Sequence, residues 1–348
     1  MTGERGVRRP GRVLTALLCA LTAAGLYGCS GPGPSEPSPT PTTAPATPPA
    51  TPTTPATPAG VSPFTGLPAR PAPVLAVKID NVPAARPHTG LGAADLVYVE
   101  QVEGGVTRLL AVYSSRLPDL AGPVRSARES DIALLGDFGR PVLAYSGAQS
   151  ALNPLLRAAP LDLVTESGTP QAFRRSPDRP APHNLYLRPG AALAAASGAD
   201  DARDIGFRFG PAPPGGTPVG SSTVRYPAAR YTFTWSAADR AWRVAMDGRA
   251  ARATDTGPLT PSTVVVQRVT VRPSRFHDRL GSVSPYSETV GSGTALVLRD
   301  GRAHEARWSR PTATSGTTFT TPAGAPLPFA PGQVWIVLAP NAQGVSGR

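Results

Sequence analysis

The stretch LVYVEQVEGGVTRLLAVY, residues 96–113, decides how the first half of this chain folds. Two apolar runs flank its Gly-Gly pair, and a two-residue glycine connection between such runs is typical of a β-hairpin whose turn needs positive φ. Pairing about these glycines places Gln101 opposite Arg108 and Glu103 diagonal to it, on one face. Strand alternation puts Glu100 on the other face, so Glu100 and Glu103 are not expected to form a catalytic carboxylate pair.

Strand-like and helix-like runs alternate on both sides of this hairpin. We predict strands at residues 74–79, 142–145 and 161–165, and helices at residues 126–138 and 148–158. This alternation is typical of an α/β domain, which we place at residues 62–209.

A Pro/Gly-rich segment, GPAPPGGTPVGS, begins at residue 210 and predicts a linker over residues 210–222. The segment that follows, residues 223–340, contains short β-type runs separated by Asp-Gly turns. The predicted fold class is therefore α+β, with an N-terminal α/β domain followed by a mostly β C-terminal domain.

Residues 1–28 have the layout of a secretory leader, with four arginines, an apolar run of about 14 residues, and then LYGC. The apolar run is shorter than the roughly 20 residues that a membrane-spanning helix needs. LYGC reads as a lipobox, in which cleavage before Cys29 frees its thiol for diacylglyceryl attachment. We therefore expect a signal peptide and a lipoprotein, acylated with chains such as palmitate. The alternative is an uncleaved anchor or an ordinary secreted protein in which Cys29 is incidental.

Lipidation at Cys29 sets the expected location and partners. The other cysteine, Cys19, lies inside the leader, so no disulfide or cysteine metal site is available to the mature chain.

Residues 29–61 are rich in Pro and Thr and predict a disordered or extended stalk. The chain would then be held on the extracytoplasmic face of the cytoplasmic membrane.

The net charge is strongly positive. Removal of the leader, which has four arginines and one glutamate, lowers it from +11 to about +8. Basicity can indicate nucleic-acid binding, but an exported lipoprotein meets anionic lipid and wall polymer instead. We expect the membrane, and an anionic envelope polymer or an envelope protein, as partners, and no nucleic acid.

Two arginines lie three residues apart in GPVRSARESD, residues 122–131. Ser126 and Glu129 fit a capping box, which would start a helix at Ser126 with Arg125 and Arg128 beside the positive end of its dipole. Nearby acids could compensate these charges, and the candidates are Glu129, Asp131, Glu103 and Asp95. The alternative is an anion site made of guanidinium groups and free helix amides.

Three further residues complete the candidate anion site. Arg108 is either the cross-strand partner of Glu103 or a ligand-binding group close to Asp80, which ends the preceding strand. His183 is either a hydrogen-bonded structural histidine or a general base. The candidate ligand-binding set is therefore Asp80, Arg108, Arg125, Arg128 and His183, and no catalytic residue can be assigned.

No cofactor or metal is expected. The four histidines have no metal-ligand spacing, and the chain has no G-x-S-x-G elbow, P-loop or dinucleotide motif. The four tryptophans, together with Tyr231 and Phe233, fall on β-type segments of the second domain. They are expected either to fill its core or to form a carbohydrate-stacking surface, which would need at least two exposed rings in one groove.

Five segments of the chain resemble the YerB-like lipoproteins. They are VKIDNVPAARPHTGLGAADLVYVEQVEGGVTRLLAVY, GPVRSAR, APHNLY, VGSGTALVLRDGRAHEARW and PGQVWIVL. The resemblance spans nearly the whole chain after the stalk. It implies a lipid-anchored protein of two domains and assigns no activity.

Two functions are consistent with these observations. The first is a binding or scaffold lipoprotein that acts in cell-envelope processes, through an arginine-lined anion site. The second is an enzyme acting on phosphate-bearing or glycan envelope substrates. Convergence of the five candidate residues in one deep pocket, together with a perturbed acid or base, favours the enzyme, and their dispersal into local ion pairs favours the scaffold.

Overall fold

The computed structural model describes residues 60–341 and 345–347, so the predicted leader and nearly all of the predicted stalk lie outside the described residues. Strands β1 to β7 come from the first half of the chain: β1 (Leu75–Asp80), β2 (Leu96–Gln101), β3 (Thr107–Tyr113), β4 (Val142–Tyr145), β5 (Asp162–Thr165), β6 (Phe173–Arg175) and β7 (Leu185–Leu187). Three α-helices accompany them: α1 (Glu129–Leu134), α2 (Asn153–Ala158) and α3 (Pro189–Ala195). Short 3-10 helices span Pro83–Ala85, Leu91–Ala93, Glu103–Gly105, Gly136–Phe138, Ser150–Leu152 and Pro170–Ala172.

The second half of the described chain has strands and no helix. Its strands are β8 (Thr217–Pro218), β9 (Ser221–Tyr226), β10 (Ala229–Ser236), β11 (Ala241–Met246), β12 (Arg249–Ala250), β13 (Arg252–Ala253), β14 (Gly257–Pro258), β15 (Thr263–Val269), β16 (Val271–His277), β17 (Val283–Ser287), β18 (Gly291–Arg299), β19 (Arg302–Arg310), β20 (Thr318–Thr320), β21 (Val334–Pro340) and β22 (Val345–Gly347).

One large sheet of 11 strands takes members from both halves, in the order β20-β19-β18-β15-β21-β2-β3-β1-β4-β5, with β8 on β19. The halves meet at β21, which pairs in parallel with β2 on one side and with β15 on the other. A second sheet has the order β12-β11-β10-β9-β22. The pairs β13-β14, β16-β17 and β6-β7 form separate two-stranded sheets.

Both faces of the large sheet are covered, which explains why its central strands read as apolar runs. Every residue of β1 and β3 is buried. One face packs against the five-stranded sheet, through side chains such as Phe233 and Trp242. The other face packs against α1 and the 3-10 helix after it, through Leu134 and Phe138, and against Phe329 from the second half.

These observations confirm the predicted α+β fold class, with a mixed first half and a β-rich second half. The predicted boundaries at 62–209, 210–222 and 223–340 stay a prediction, since the described residues form one compact unit around a shared sheet. No helix among the described residues is long and apolar enough to cross a membrane.

The predicted register of the 96–113 hairpin is wrong by one residue. Glu100, and not Gln101, lies opposite Arg108, and Gln101 pairs with Thr107. The reason is the turn, in which residues 103–105 form a 3-10 helix closed by a hydrogen bond from the Val102 N–H to the Val106 carbonyl. This wider loop replaces the expected two-residue turn and moves Glu103 out of the strand.

The predicted start of the first helix is also wrong. Helix α1 begins at Glu129, with Arg128 as its N-cap, and residues 125–128 are irregular. The Asp131 carboxylate, and not Glu129, accepts the Arg128 N–H at 2.7 Å. Because α1 has only six residues, the dipole argument that motivated a helix-amide anion site no longer applies.

Candidate functional site

All five residues of the predicted anion site line one cleft with a volume of about 800 Å³. The cleft lies where β1 ends and β3 begins, and its other walls come from residues 102–107, 125–129, 148–152, 182–183 and the β16-β17 hairpin. Its lining is mixed, since apolar groups such as Val106, Leu152 and Phe276 alternate with the charged ones. The sequence thus located five cleft residues, although their binding role stays a prediction.

Strand pairing explains why polar groups collect at the base of the cleft. Asp80 on β1 lies opposite Arg108 on β3, and Arg108 lies opposite Glu100 on β2. Directly paired residues in antiparallel strands point to the same face of a sheet. Asp80, Arg108 and Glu100 therefore form one polar row across three adjacent strands.

Arg108 is the least compensated charge in this row. Its side chain is buried, with the residue 8% exposed, and one of its nitrogens, Nη1, donates to the Ser126 carbonyl at 2.9 Å. No carboxylate among residues 60–341 forms an ion pair with it. Burial, followed by the charges of Arg128 and Arg125, lowers the pKa of Arg108 to about 9, so it stays cationic at neutral pH.

The Asp80 carboxylate contacts the side chains of both Arg125 and His183. Its Oδ2 atom lies 3.1 Å from Arg125 Nε and 2.7 Å from His183 Nδ1. The Asp80 side chain is 3% exposed, whereas that of His183 is 20% exposed and faces the cleft. The buried carboxylate therefore fixes one nitrogen of a histidine whose ring is still accessible.

Arg128 pairs with Glu103 in a two-pronged contact. Nε and Nη2 of Arg128 donate to the two Glu103 carboxylate oxygens at 2.6 and 2.7 Å. Burial alone would raise the pKa of Glu103, but the hydrogen bonds and charge of Arg128 lower it to about 2. Glu103 is therefore a fixed anion over the physiological pH range.

Of the four acids expected to compensate the two arginines, only Glu103 forms an ion pair with either of them in the described part of the chain. Glu129 accepts a hydrogen bond from the Ser274 hydroxyl. Asp95 lies elsewhere and accepts the backbone N–H groups of Ser114 and Ser115 at 2.7 and 2.9 Å. Asp80, which was not among these expected acids, pairs with Arg125, because strand pairing brings the end of β1 to the cleft.

A buried ionic trio lies beside the cleft. Lys78 Nζ is 2.7 Å from Glu100 Oε1 and 2.6 Å from Asp131 Oδ1, and all three side chains are at most 1% exposed. Burial, followed by the charge of Asp131, raises the pKa of Glu100 to about 7. The other Asp131 oxygen accepts a hydrogen bond from the Arg128 N–H. The trio therefore positions the loop that carries Arg125 and Arg128.

The β16-β17 hairpin reaches the cleft from the second half of the chain. Ser284 donates its hydroxyl hydrogen to Glu103, and Ser274 donates to Glu129. A third contact joins the Ser287 N–H to Ser130 Oγ at 3.0 Å. At the tip, Leu280 is 91% exposed and borders the cleft.

The tryptophans do not form a carbohydrate-binding surface. Trp242, Trp308 and Trp335 are buried in the core, and Trp235, half-buried, packs on Trp242 with ring centroids 5.2 Å apart. The alternative of two exposed rings in one groove is therefore wrong. In the described part of the chain, no group of three or more His, Cys, Asp or Glu side chains could hold a metal ion.

Two family profiles match the chain on either side of the predicted linker. Residues 64–203 match the N-terminal domain of a protein of unknown function, DUF3048, and residues 222–336 match its C-terminal domain. Together they cover most of the chain. The chain belongs to the DUF3048 family.

A curated relative and a solved structure agree with this DUF3048 assignment. The chain is 26% identical over 283 residues to the putative lipoprotein YerB of Bacillus subtilis strain 168, covering 78% of this chain and 82% of that protein. The crystal structure of the YerB protein from Bacillus subtilis has a TM-score of 0.69 and 22% identity, over 82% of this chain and 99% of that one. The resemblance to the YerB-like lipoproteins is thus confirmed.

Sequence analysis missed two features that position the DUF3048 cleft residues, namely the trio of Lys78 beside the cleft and the β16-β17 hairpin. Lys78 gave a usable signal, because it is the only lysine and interrupts an apolar strand, where a charge must be paired. The β16-β17 hairpin gave none, since its Pro, Ser and Arg content does not read as a pair of strands.

Proposed function

We propose that this DUF3048 protein is a membrane-anchored extracytoplasmic lipoprotein that serves as a binding or scaffold module of the cell envelope. Its ligand carries an anionic, phosphate-bearing group that binds in the cleft. The buried, uncompensated guanidinium of Arg108 carries this proposal.

The charge balance at the base of the cleft favours an anion. Three guanidinium groups meet two carboxylates there, and Asp80 and Glu103 pair with Arg125 and Arg128 respectively. This leaves the positive charge of Arg108, whose side chain donates to a neutral carbonyl group and to no carboxylate in the described part of the chain. A buried charge without an ionic partner is costly, and a bound anion would remove that cost.

Two other acids line the cleft but are already engaged. Glu129 accepts from a serine of the β16-β17 hairpin. Asp278 Oδ1 accepts the N–H groups of Leu280 and Ser282, at 2.8 and 2.9 Å, within its own turn. Neither forms an ion pair with Arg108, so Arg108 has no ionic partner in the described part of the chain.

The size of the cleft indicates a ligand larger than a free anion. A volume of about 800 Å³ is in the range of pockets that hold whole small molecules. Its apolar lining, which includes Val82, Val106 and Phe276, can contact uncharged parts of such a ligand. We infer that the anion is one group of an envelope molecule.

The anchoring part of the proposal rests on the leader, on Cys29 and on the similarity to a protein named as a putative lipoprotein. We expect Cys29→Ala to abolish lipid labelling and to move the protein from the membrane fraction to the soluble fraction. Unchanged membrane retention together with unchanged labelling would contradict the anchor.

The anion site is tested by calorimetric titration of the full chain with pyrophosphate. Arg108→Gln removes the uncompensated charge and is expected to weaken pyrophosphate binding at least ~10-fold, the size of one charged hydrogen bond. Arg299→Gln is the matched control, because Arg299 is also a buried arginine but binds carbonyl groups of residues 210 and 328 outside the cleft. Equal pyrophosphate affinity in the wild type and Arg108→Gln would overturn the site.

The second candidate function is an enzyme that uses the same cleft. Two observations favour it: the five candidate residues line one cleft, and the buried carboxylate of Asp80 contacts the accessible ring of His183.

A further inference from the structure

The Asp80–His183 contact fixes which ring nitrogen of His183 faces the cleft. An ionised carboxylate can only accept hydrogen bonds, so the 2.7 Å contact with Asp80 Oδ2 requires the hydrogen on His183 Nδ1. The neutral ring then carries its lone pair on Nε2. No residue of the described chain forms a hydrogen bond with that nitrogen, and His183 lines the cleft.

The backbone around His183 is held from both sides. The His183 N–H donates to the Pro180 carbonyl at 3.1 Å, and the Asn184 side chain donates to the Ser176 carbonyl at 3.2 Å. On the other side of the ring contact, Arg125 Nε lies 3.1 Å from the same Asp80 oxygen. The ring is therefore oriented before any ligand binds, as a proton-transfer group requires.

His88 shows how a purely structural histidine looks in this chain. It is 1% exposed, and its Nε2 atom contacts the Asp80 carbonyl at 2.9 Å. Burial lowers the pKa of His88 to about 4. His183 differs because its ring reaches the cleft and leaves one nitrogen without a protein partner.

We propose that the cleft is catalytic and hydrolyses a phosphodiester, with His183 as the general base, Asp80 as its positioning residue and Arg108 as the group that binds the phosphate. This inference rests on the proposed function, because the anion site holds the reacting phosphate beside the histidine. The substrate class is a phosphodiester of the cell envelope.

The reaction balances with water as the only other reactant. His183 Nε2 removes a proton from water while the water oxygen forms a bond to phosphorus. The bond from phosphorus to one ester oxygen breaks, and that oxygen takes the proton from His183. The products are an alcohol and a phosphate monoester, and the imidazole returns to its neutral form. Arg108 and Arg125 offset the added negative charge on the phosphoryl oxygens.

Glycoside hydrolysis is the less suitable reaction for this cleft. It requires two carboxyl groups, one of which is protonated so that it can act as an acid. Glu103, held by Arg128 and Ser284, has a pKa of about 2 and is no proton donor at neutral pH. Asp80 already contacts Arg125 and His183, so it is likewise unsuited to act as the proton donor.

The test is hydrolysis of bis(4-nitrophenyl) phosphate by the full chain in detergent, together with calorimetry of pyrophosphate binding. His183→Asn keeps a hydrogen-bond donor for Asp80 but cannot accept a proton. We expect it to lower turnover by at least ~100-fold and to change pyrophosphate affinity less than ~3-fold. His304→Asn, on β19 and outside the cleft, should leave both measurements unchanged.

The pH profile separates catalysis from a structural role. Turnover of the wild type and of Asp80→Asn should depend differently on pH, because Asp80 acts through the general base. This wild-type profile keeps the proposal testable even if a variant fails to fold. Wild-type turnover no higher than that of His183→Asn, with pyrophosphate still bound, would overturn catalysis and leave the binding proposal intact. Absence of pyrophosphate binding by the wild type would overturn both.

Discussion

At the scale of single residues, the most consequential group is the buried trio of Lys78, Glu100 and Asp131. One cation faces two acids in a site without solvent, so two ionised carboxylates would leave a net negative charge there. A proton on Glu100 balances the trio, which agrees with its pKa of about 7. Asp131 also accepts a hydrogen bond from the Arg128 N–H. The protonation state of the trio is therefore coupled to the loop that carries Arg125 and Arg128.

We predict that stability falls as pH rises from about 4.5 to about 7, because Glu100 binds its proton more tightly in the folded state. The difference in pKa corresponds to at most about 3 kcal/mol. Glu100→Gln, which cannot titrate, should flatten this slope in urea unfolding measured at several pH values. A residual slope is expected in both proteins, since burial also raises the pKa of Asp137 to about 7.

The matched control is Glu305→Gln on β19, where the glutamate is exposed. This variant should keep the full wild-type slope. If the slopes of wild type and Glu100→Gln coincide, Glu100 is not the titrating group.

At the scale of elements, the cleft depends on a hairpin turn and on a second hairpin from the other half of the chain. Sequence patterns located β1, β2 and β3 to within one or two residues, because both faces of these strands are buried. They did not give the register, which follows from the wider loop at residues 103–105. Polar residues at strand ends were therefore identified as a group, while the pairs that they form were not.

We predict that the contact from Ser284 to Glu103 holds the β16-β17 hairpin against the cleft. Ser284→Ala leaves a buried carboxylate oxygen without that donor and should lower the free energy of unfolding by about 1–2 kcal/mol. It should also speed protease cleavage near residues 278–282. Ser282→Ala is the control, because Ser282 is exposed and contributes its backbone N–H to Asp278. Equal unfolding midpoints for the two variants would show that the hairpin is held by other contacts.

At the scale of the whole molecule, the two halves share one sheet, and β21 from the second half lies between β2 and β15. Leu96 and Val334 are paired, and both belong to the core beneath the helices. The sequence predicted the composition of each half and the linker between them. It could not predict the pairing of β2 with β21, because a local sequence pattern does not determine which distant strand lies beside a given strand.

We predict that the halves remain associated after the chain between them is cut. A protease site placed in the exposed segment 211–215 should be cleaved, yet the fragments should elute together until denaturant is added. Residues 60–210 expressed alone should aggregate, since they would expose β2 as an unpaired apolar edge. Separation into two soluble, folded fragments would instead support two independent domains.

The central position of β21 also has a consequence for folding in time. A ribosome makes β1, β2 and β3 early, but the strand that completes their sheet is among the last parts of the described chain to be made. Pairing between strands that are distant in sequence is slow, and β2 cannot pair with β21 before β21 has been synthesised. A chain of this topology can complete its large sheet only after β21 has been made, so the sheet is completed long after its first three strands have left the ribosome.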